Sequence, residues 1–387
     1  MHVVVVGGGF GGVKAALELS KRQIGKVTLI SDHSYFLHHA TLYATATGKS
    51  TEESVIPLNV IFANHPNVEI IEDRITGFDP HRKLVSGKRK DYHYDKLVLA
   101  LGSVTTFFGI KGVEAHAYGI NTLNDVYKFH DHIHEEVVNQ KLDKEYYVIG
   151  AGLTGVEVAS ALNKYLESLK EIYRLKNARP RVVLVEAKSR VLPHISQTAS
   201  QKVYAQLKKQ GIKVVLNHKV TSLEGNAINI EGRTYPTTTA IWTSGVTNNP
   251  FFKDNRGYFD LAEDGRVNVN PYLEALDDVY VIGDNNSVYR SGMAWPALRQ
   301  AKHVAKNIAR VATKRPQVSY HVRSVPIGLP VGEHWGYVEW HGIYVAGRTG
   351  SLVRRYMELY GYTRLLPLNE ALPVWRAHDI RDVDNTL

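Results

Sequence analysis

The chain has 387 residues, of which 44% are hydrophobic, a length that points to two or three domains and a balance that points to packed globular structure. Its 47 Lys and Arg against 38 Asp and Glu leave a formal charge of +9, which suits an acidic partner such as a membrane surface, a nucleic acid or an acidic protein. It has no cysteine, which excludes disulfide staples, thiolate metal sites and every mechanism built on a redox-active cysteine pair.

A continuous apolar run over 3–6, without a basic flank, predicts a buried strand and not a secretion signal. It leads into Gly7-Gly8-Gly9-Phe10-Gly11-Gly12 and a helical pattern set by Val13, Ala16 and Leu17. Further strands are predicted over 26–30 and over 94–101, the latter ending at Gly102. A polar helix is predicted over 126–139, carrying His130, His132 and His134 with no further ligand in view, so no metal site is assigned. The grammar of the start then recurs: a strand over 146–149, the turn Gly150-Ala151-Gly152-Leu153-Thr154-Gly155, a helix set by Val156, Val158, Ala159 and Leu162, and a strand over 181–185. Short alternating runs between 211 and 233 predict a hairpin, with turns at Glu224-Gly225-Asn226 and Glu231-Gly232. Strands over 239–243 and 279–282 end near Gly245 and at Gly283-Asp284. A helix is expected over 297–313, aromatic β-like segments after Pro316, and one amphipathic helix over about 351–360. No apolar run reaches membrane-spanning length, so the expectation is a cytoplasmic chain, with peripheral attachment to the inner face of the cell membrane left open.

Gly7, Gly9 and Gly12, and again Gly150, Gly152 and Gly155, match G-x-G-x-x-G between strand and helix. The first glycine makes the tight turn, the second lets a pyrophosphate approach the backbone, and the third lets helix pack on strand. The helix start then offers free N–H groups to the phosphates. Such a unit also wants a carboxylate at the end of its second strand for the ribose hydroxyls, a place taken by Glu186 in the second unit and, one residue late, by Asp32 in the first. Glu186 would repel a 2′-phosphate and favours NADH over NADPH, against the nearby charges of Lys188 and Arg190. Two dinucleotide units imply two dinucleotides, and the economical pair is FAD and NADH. Asp284 either reaches the ribityl or pyrophosphate part of FAD or caps the following turn.

The segments VVVVGGGFGGVKAALEL, VTLISDHSYFLHHATLYATATG, YDKLVLALGS, YVIGAGLTGVEVASAL, VVLVEAKSRVLP, AIWTSGV and VYVIGDNN follow in order over about the first 310 residues. Together they resemble the two-dinucleotide-binding flavoproteins, and within them the type II NADH dehydrogenases, which are non-proton-pumping NADH:quinone oxidoreductases. The resemblance implies an α/β fold of two Rossmann-like domains, for FAD over 1–110 with 250–315 and for NADH over 111–249, and a smaller α+β region over 316–387. It implies that Phe10, Gly11, Ile75, Ala100, Gly102 and Trp295 join the FAD site, and Leu153, Thr154 and Gly245 the NADH site. Glu157, in G-x-G-x-x-G-x-E, would sit near the nicotinamide–flavin stack and act in catalysis, or is simply a first-turn Glu favoured by the helix dipole.

Three departures from that pattern stand out. Ser31 holds the place of the usual FAD-ribose acid. In the stretch matching the quinone motif, Trp295 and Arg299 replace glutamines, and they are the expected acceptor site. The last predicted helix is short and charged, with Leu352, Val353, Tyr356, Leu359 and Tyr360 opposite Arg354, Arg355 and Glu358, a face for a membrane surface, its own protein or a second subunit of a homodimer. Lys302, Lys306, Arg310 and Lys314 line one helix face suited to anionic lipid or an acidic carrier. The expected activity is NADH oxidation with two electrons passed to a quinone. The alternatives are an NADH-dependent reductase of a ferredoxin-like carrier and a non-catalytic nucleotide sensor; no nucleic-acid recognition motif accompanies the basic charge.

Overall fold

A computed structural model describes residues 1–380. Strand β1 (His2–Val6) is buried after its first residue. Both faces of its sheet are covered, which is why its sequence is an unbroken valine run and not an alternation. Parallel to it run β2 (Lys26–Ser31) on one side and β3 (Lys96–Leu99) on the other. Val68–Glu72 extends the sheet past β2, while Val279–Val281 and the antiparallel Glu274–Leu276 extend it past β3. The first sheet therefore draws its edge from a part of the chain that follows the whole second unit. Helix α1 (Phe10–Lys21) makes the right-handed crossover between β1 and β2.

The second sheet is all parallel, in the order Lys213–Leu216, β5 (Arg181–Glu186), β4 (Glu145–Ile149), β6 (Ala240–Trp242). Helix α2 (Leu153–Ile172) joins β4 to β5. The architecture is thus two Rossmann-like α/β units, as the glycine turns required. The two meet at an antiparallel pairing of Ser103–Thr105 with Val246–Asn248. The hairpin expected over 211–233 is corrected. Lys213–Leu216 leaves a helix (Gln197–Lys209) and adds a fourth parallel strand, while Val220–Glu224, Ala227–Ile230 and Arg233–Pro236 form a separate three-stranded antiparallel sheet around the two expected turns.

Helix α3 (Ala294–Ala312) packs along α1. It starts three residues earlier than the periodicity indicated, because Pro296 is tolerated in a first turn. After it come three antiparallel strands, Ile327–Pro330, Gly336–Trp340 and Ile343–Gly347, then helix α4 (Arg348–Tyr362). A further helix, α5 (Leu368–Arg376), had no counterpart in the sequence reading, since Pro373 inside it broke the helical signal.

Candidate active site

Both glycine turns have the geometry a pyrophosphate needs. A Cβ on Gly12 would lie 1.9 Å from the Gly7 carbonyl oxygen, and one on Gly155 would lie 1.8 Å from that of Gly150, so only glycine allows these helices so close to their strands. A Cβ on Gly9 or on Gly152, by contrast, would meet nothing within 4 Å. These two residues are the N-caps of α1 and α2, and neither helix start receives a side-chain cap. Each turn is thus open toward solvent where uncapped N–H groups point, a cradle that fits the phosphates of FAD and of NADH. The two turns are built alike: Gly7 N–H donates to the Ile30 carbonyl and Gly150 N–H to that of Val185, both at 2.8 Å. Phe10 and Gly11 open α1, Leu153 and Thr154 open α2, and Gly245 follows the end of β6, next to Ser244, which abuts Gly150.

The ends of the second strands differ. Glu186, the last residue of β5, accepts from Ala151 N–H at 2.7 Å and from Lys188 N–H at 2.8 Å, which fixes its carboxylate beside the turn. The equivalent last residue of β2 is Ser31, whose hydroxyl accepts from His33 N–H at 3.3 Å. Asp32 stands one residue beyond, exposed. The guanidinium of Arg190 donates to the carbonyls of Leu192, Pro193, Ile195 and Ser196, so it organises its own loop and is not presented to a phosphate.

Around the first turn, Ala100 closes on Gly7, and Gly102 follows with a left-handed φ of 70°. Asn285 exchanges hydrogen bonds with Gly102, donating to its carbonyl at 2.7 Å and accepting from its N–H at 3.0 Å, and so ties it to the Gly283-Asp284 turn. Asp284 accepts from the Ser103 hydroxyl at 2.9 Å and caps no helix. Buried Gln300 accepts from Gly283 N–H at 2.7 Å. Asn285, in VYVIGDNN, and Gln300, the last residue of the stretch matching the quinone motif, had no role assigned from the sequence, since neither motif says which backbone groups their amides would meet. Ile75 belongs to the apolar core with Val4, Val6 and Ile30.

Glu157, in the first turns of α2, is 9% exposed and its carboxyl makes no hydrogen bond among the described residues. Burial pushes it up to about 8, against the pull of the nearby Arg354 guanidinium. It lines a cavity of about 420 Å3, partly open to solvent, formed by α2, the Tyr43–Lys49 segment and the C-terminal region, including Tyr165, Arg354 and Glu358. The last two show that the charged face of the C-terminal helix turns inward, with Leu359 of the expected apolar face partly packed on the core. Arg354 and Glu358 are buried, paired at 2.8 Å, while Leu352, Val353, Tyr356 and Tyr360 are exposed. Charge faces inward because each of the pair finds its counter-charge in the other, and the Gly328 carbonyl accepts from Arg354 Nε at 3.1 Å. Glu358 also binds Arg355, and beyond it the buried Glu53 pairs with His378 at 2.8 Å. Trp295 and Arg299 lie elsewhere and do not line the cavity. Trp295 stacks on Tyr360 with centroids 4.9 Å apart, and Arg299 donates to the carbonyls of Arg323 and Ser324. Of the three histidines on the 123–138 helix, His132 binds the Thr239 hydroxyl at 2.7 Å and stacks on Tyr118.

The profile of the pyridine nucleotide-disulphide oxidoreductase family matches residues 1–305. Among curated proteins, the chain is 24% identical over 380 residues to the type II NADH:quinone oxidoreductase of Staphylococcus saprophyticus, covering 92% of this chain and 94% of that one. It is 29% identical over 342 residues to the type II NADH:quinone oxidoreductase Ndh of Mycobacterium tuberculosis, covering 81% and 74%. Among solved structures, NDH2 from Plasmodium falciparum in complex with NADH superposes with a TM-score of 0.85 at 16% identity, over 98% of this chain and 97% of that one. The sulfide:quinone oxidoreductase of Aquifex aeolicus does so with a TM-score of 0.79 at 20% identity, over 99% and 92%. These two likenesses are of fold.

Proposed function

Since the chain belongs to the pyridine nucleotide-disulphide oxidoreductase family, we propose that it is an FAD enzyme that oxidises NADH and passes two electrons to a quinone without pumping protons. The observation that carries this reading is the pair of open glycine cradles, each following a parallel strand, with Glu157 two residues past the second and lining a cavity. The names of the curated relatives point the same way. With no cysteine in this chain, the dithiol chemistry in the family's description has no residue to act through.

FAD would be held by Gly7, Gly9 and Gly12 with the α1 N-terminus, and by the Gly102 and Asp284 turns that Asn285 ties together; when bound it supplies a relay between a hydride donor and a two-electron acceptor. NADH would be held at Gly150, Gly152 and Gly155, with Glu186 accepting from its ribose. Burial keeps Glu157 protonated at neutral pH, so it can present a proton to an acceptor oxygen in the cavity, where Tyr43 and Tyr165 supply aromatic walls. The acceptor would enter there and not beside Trp295 and Arg299. The exposed face of α4 continues into exposed Trp340, Ile343 and Leu368, a surface suited to the boundary of a bilayer that carries the quinone.

The test is the visible spectrum of the purified protein before and after anaerobic NADH, followed by addition of a short-chain quinone. A flavin spectrum that bleaches with NADH and recovers with the quinone is expected. A colourless protein that takes up no FAD would refute the reading. A spectrum that recovers only with an acidic carrier protein would move the acceptor to the second reading, which the exposed Lys302 and Lys306 favour.

A further inference from the structure

Phe108 is the most exposed phenylalanine among the described residues, at 66%, and holds φ at 51°, a left-handed backbone that bulky residues rarely adopt. It is nonetheless fixed in place. Thr106 N–H donates to the Gly245 carbonyl at 3.2 Å, Trp242 Nε1 donates to the Thr106 carbonyl at 3.0 Å, and Phe108 N–H donates to the Thr106 hydroxyl at 3.3 Å. Its ring lies against Gly245, where any Cβ would fall 2.4 Å from its Cζ, and stands edge-on to Trp242 with centroids 6.2 Å apart.

The place of that ring is informative. Ligands of parallel sheets bind outside the carboxyl ends of the strands. Glu186 marks the adenosine-ribose side at the end of β5, and the glycine turn after β4 takes the pyrophosphate. The remaining half of a dinucleotide must then lie toward the end of β6, where Thr243, Ser244 and Gly245 leave the sheet. Phe108 rims that end of the crevice. We propose that the Phe108 ring is a wall for the nicotinamide half of the bound dinucleotide, so that strained backbone and exposed aromatic surface in the free protein become covered surface in the complex. This rests on the reading of the second unit as the NADH site.

The experiment is anaerobic stopped-flow reduction of the FAD-loaded enzyme by NADH, with binding of ADP-ribose, which lacks the nicotinamide ring, measured alongside. In Phe108→Ala the half-saturating NADH is expected to rise about 3- to 10-fold, while ADP-ribose affinity and flavin content stay unchanged and Phe108→Tyr stays close to wild type. Phe108→Gly, which suits the left-handed backbone, is expected to weaken NADH in the same way without lowering the thermal midpoint, a combination that a purely structural role does not produce. Unchanged half-saturation in Phe108→Ala, or equal weakening of ADP-ribose, overturns the proposal. A wild-type flavin that NADH does not reduce overturns the donor reading, and the proposal with it.

Discussion

A carboxyl taken largely out of water and given no hydrogen-bond donor among the described residues is harder to ionise, and Glu157, at the wall of its cavity, is such a group. Its ordinary value near 4.5 is pushed up to about 8 by burial. Between those two values the unfolded chain has released this proton and the folded chain still holds it. The folded state therefore loses stability as pH rises from about 4.5 toward 8, the reverse of a salt-bridged carboxylate. Glu157→Gln removes this dependence, so its thermal midpoint should exceed that of the wild type at pH 8 by more than it does at pH 5. An equal offset at both pH values would show that Glu157 is ionised in the folded protein. A second residue-scale expectation concerns the pyridine nucleotide. Glu186→Ala should raise the KM for NADH about tenfold, the loss of a charged hydrogen-bond acceptor, with flavin still bound and the preference over NADPH narrowed. Loss of flavin instead would mean the two sites are exchanged. Glu186 was legible in the sequence because strand, turn and ribose acid follow one spacing. The commitment of Arg190 was not, since its four carbonyl partners converge only once the loop over 190–196 is folded. Ser31 was legible too: the sequence put it at the place of the ribose acid with Asp32 next, and the fold adds that its side chain faces the turn, where a Cβ on Gly8 would lie 2.3 Å from its hydroxyl oxygen.

At the scale of elements, the two β-glycine-α units were readable because they are local: one run of apolar residues, one turn and one helix decide each. Helix α4 was not readable in the same way. Its apolar residues do fall on one side, but hydrophobic periodicity says only that two faces differ. Which face turns inward is set by what it meets there, and here Arg354 and Glu358 pair with each other one helical turn apart while the Gly328 carbonyl accepts from Arg354, so the charged face went in. Although burial favours its neutral form, Arg354 holds the Glu358 carboxyl below the usual carboxylate range. Arg354→Met should then cost about 3 kcal/mol in unfolding free energy, the low end for breaking a buried pair, because Arg355 still contacts Glu358 at 3.2 Å. Urea unfolding followed by flavin release and far-ultraviolet dichroism would measure it. The double replacement Arg354→Met with Glu358→Leu should recover most of that loss, since two apolar side chains leave no charge unpaired. A double variant as weak as the single one would mean the pair acts through the cavity's shape and not its charge.

The orientation of α4 has its consequence at the scale of the whole molecule. With the charges of α4 facing the cavity, the outer surface shows Leu352, Tyr356 and Tyr360 beside Ile343 and Leu368, all more than 40% exposed. Tyr360 is held between Trp295 on one side and the Arg364 guanidinium, 4.5 Å from its ring centre, on the other. Trp295 begins a stripe on α3 that continues through Arg299, Lys302 and Lys306, residues that share one helix face. An apolar patch thus runs directly into a basic one, the arrangement that an anionic bilayer surface rewards twice, by burial and by charge. No helix among the described residues is long and apolar enough to cross a membrane. The holoenzyme should float with vesicles containing phosphatidylglycerol and release them as salt rises, each exposed lysine contributing about 1 kcal/mol at low ionic strength. Lys302→Glu with Lys306→Glu should abolish the salt-sensitive part. Leu352→Glu with Tyr356→Glu should abolish binding to neutral vesicles as well, with NADH reduction of the flavin unchanged in both. Binding that ignores both pairs of substitutions would place the membrane-facing side elsewhere, whereas a shift of either variant from dimer to monomer in sedimentation, with vesicle binding intact, would assign this surface to a second copy of the chain.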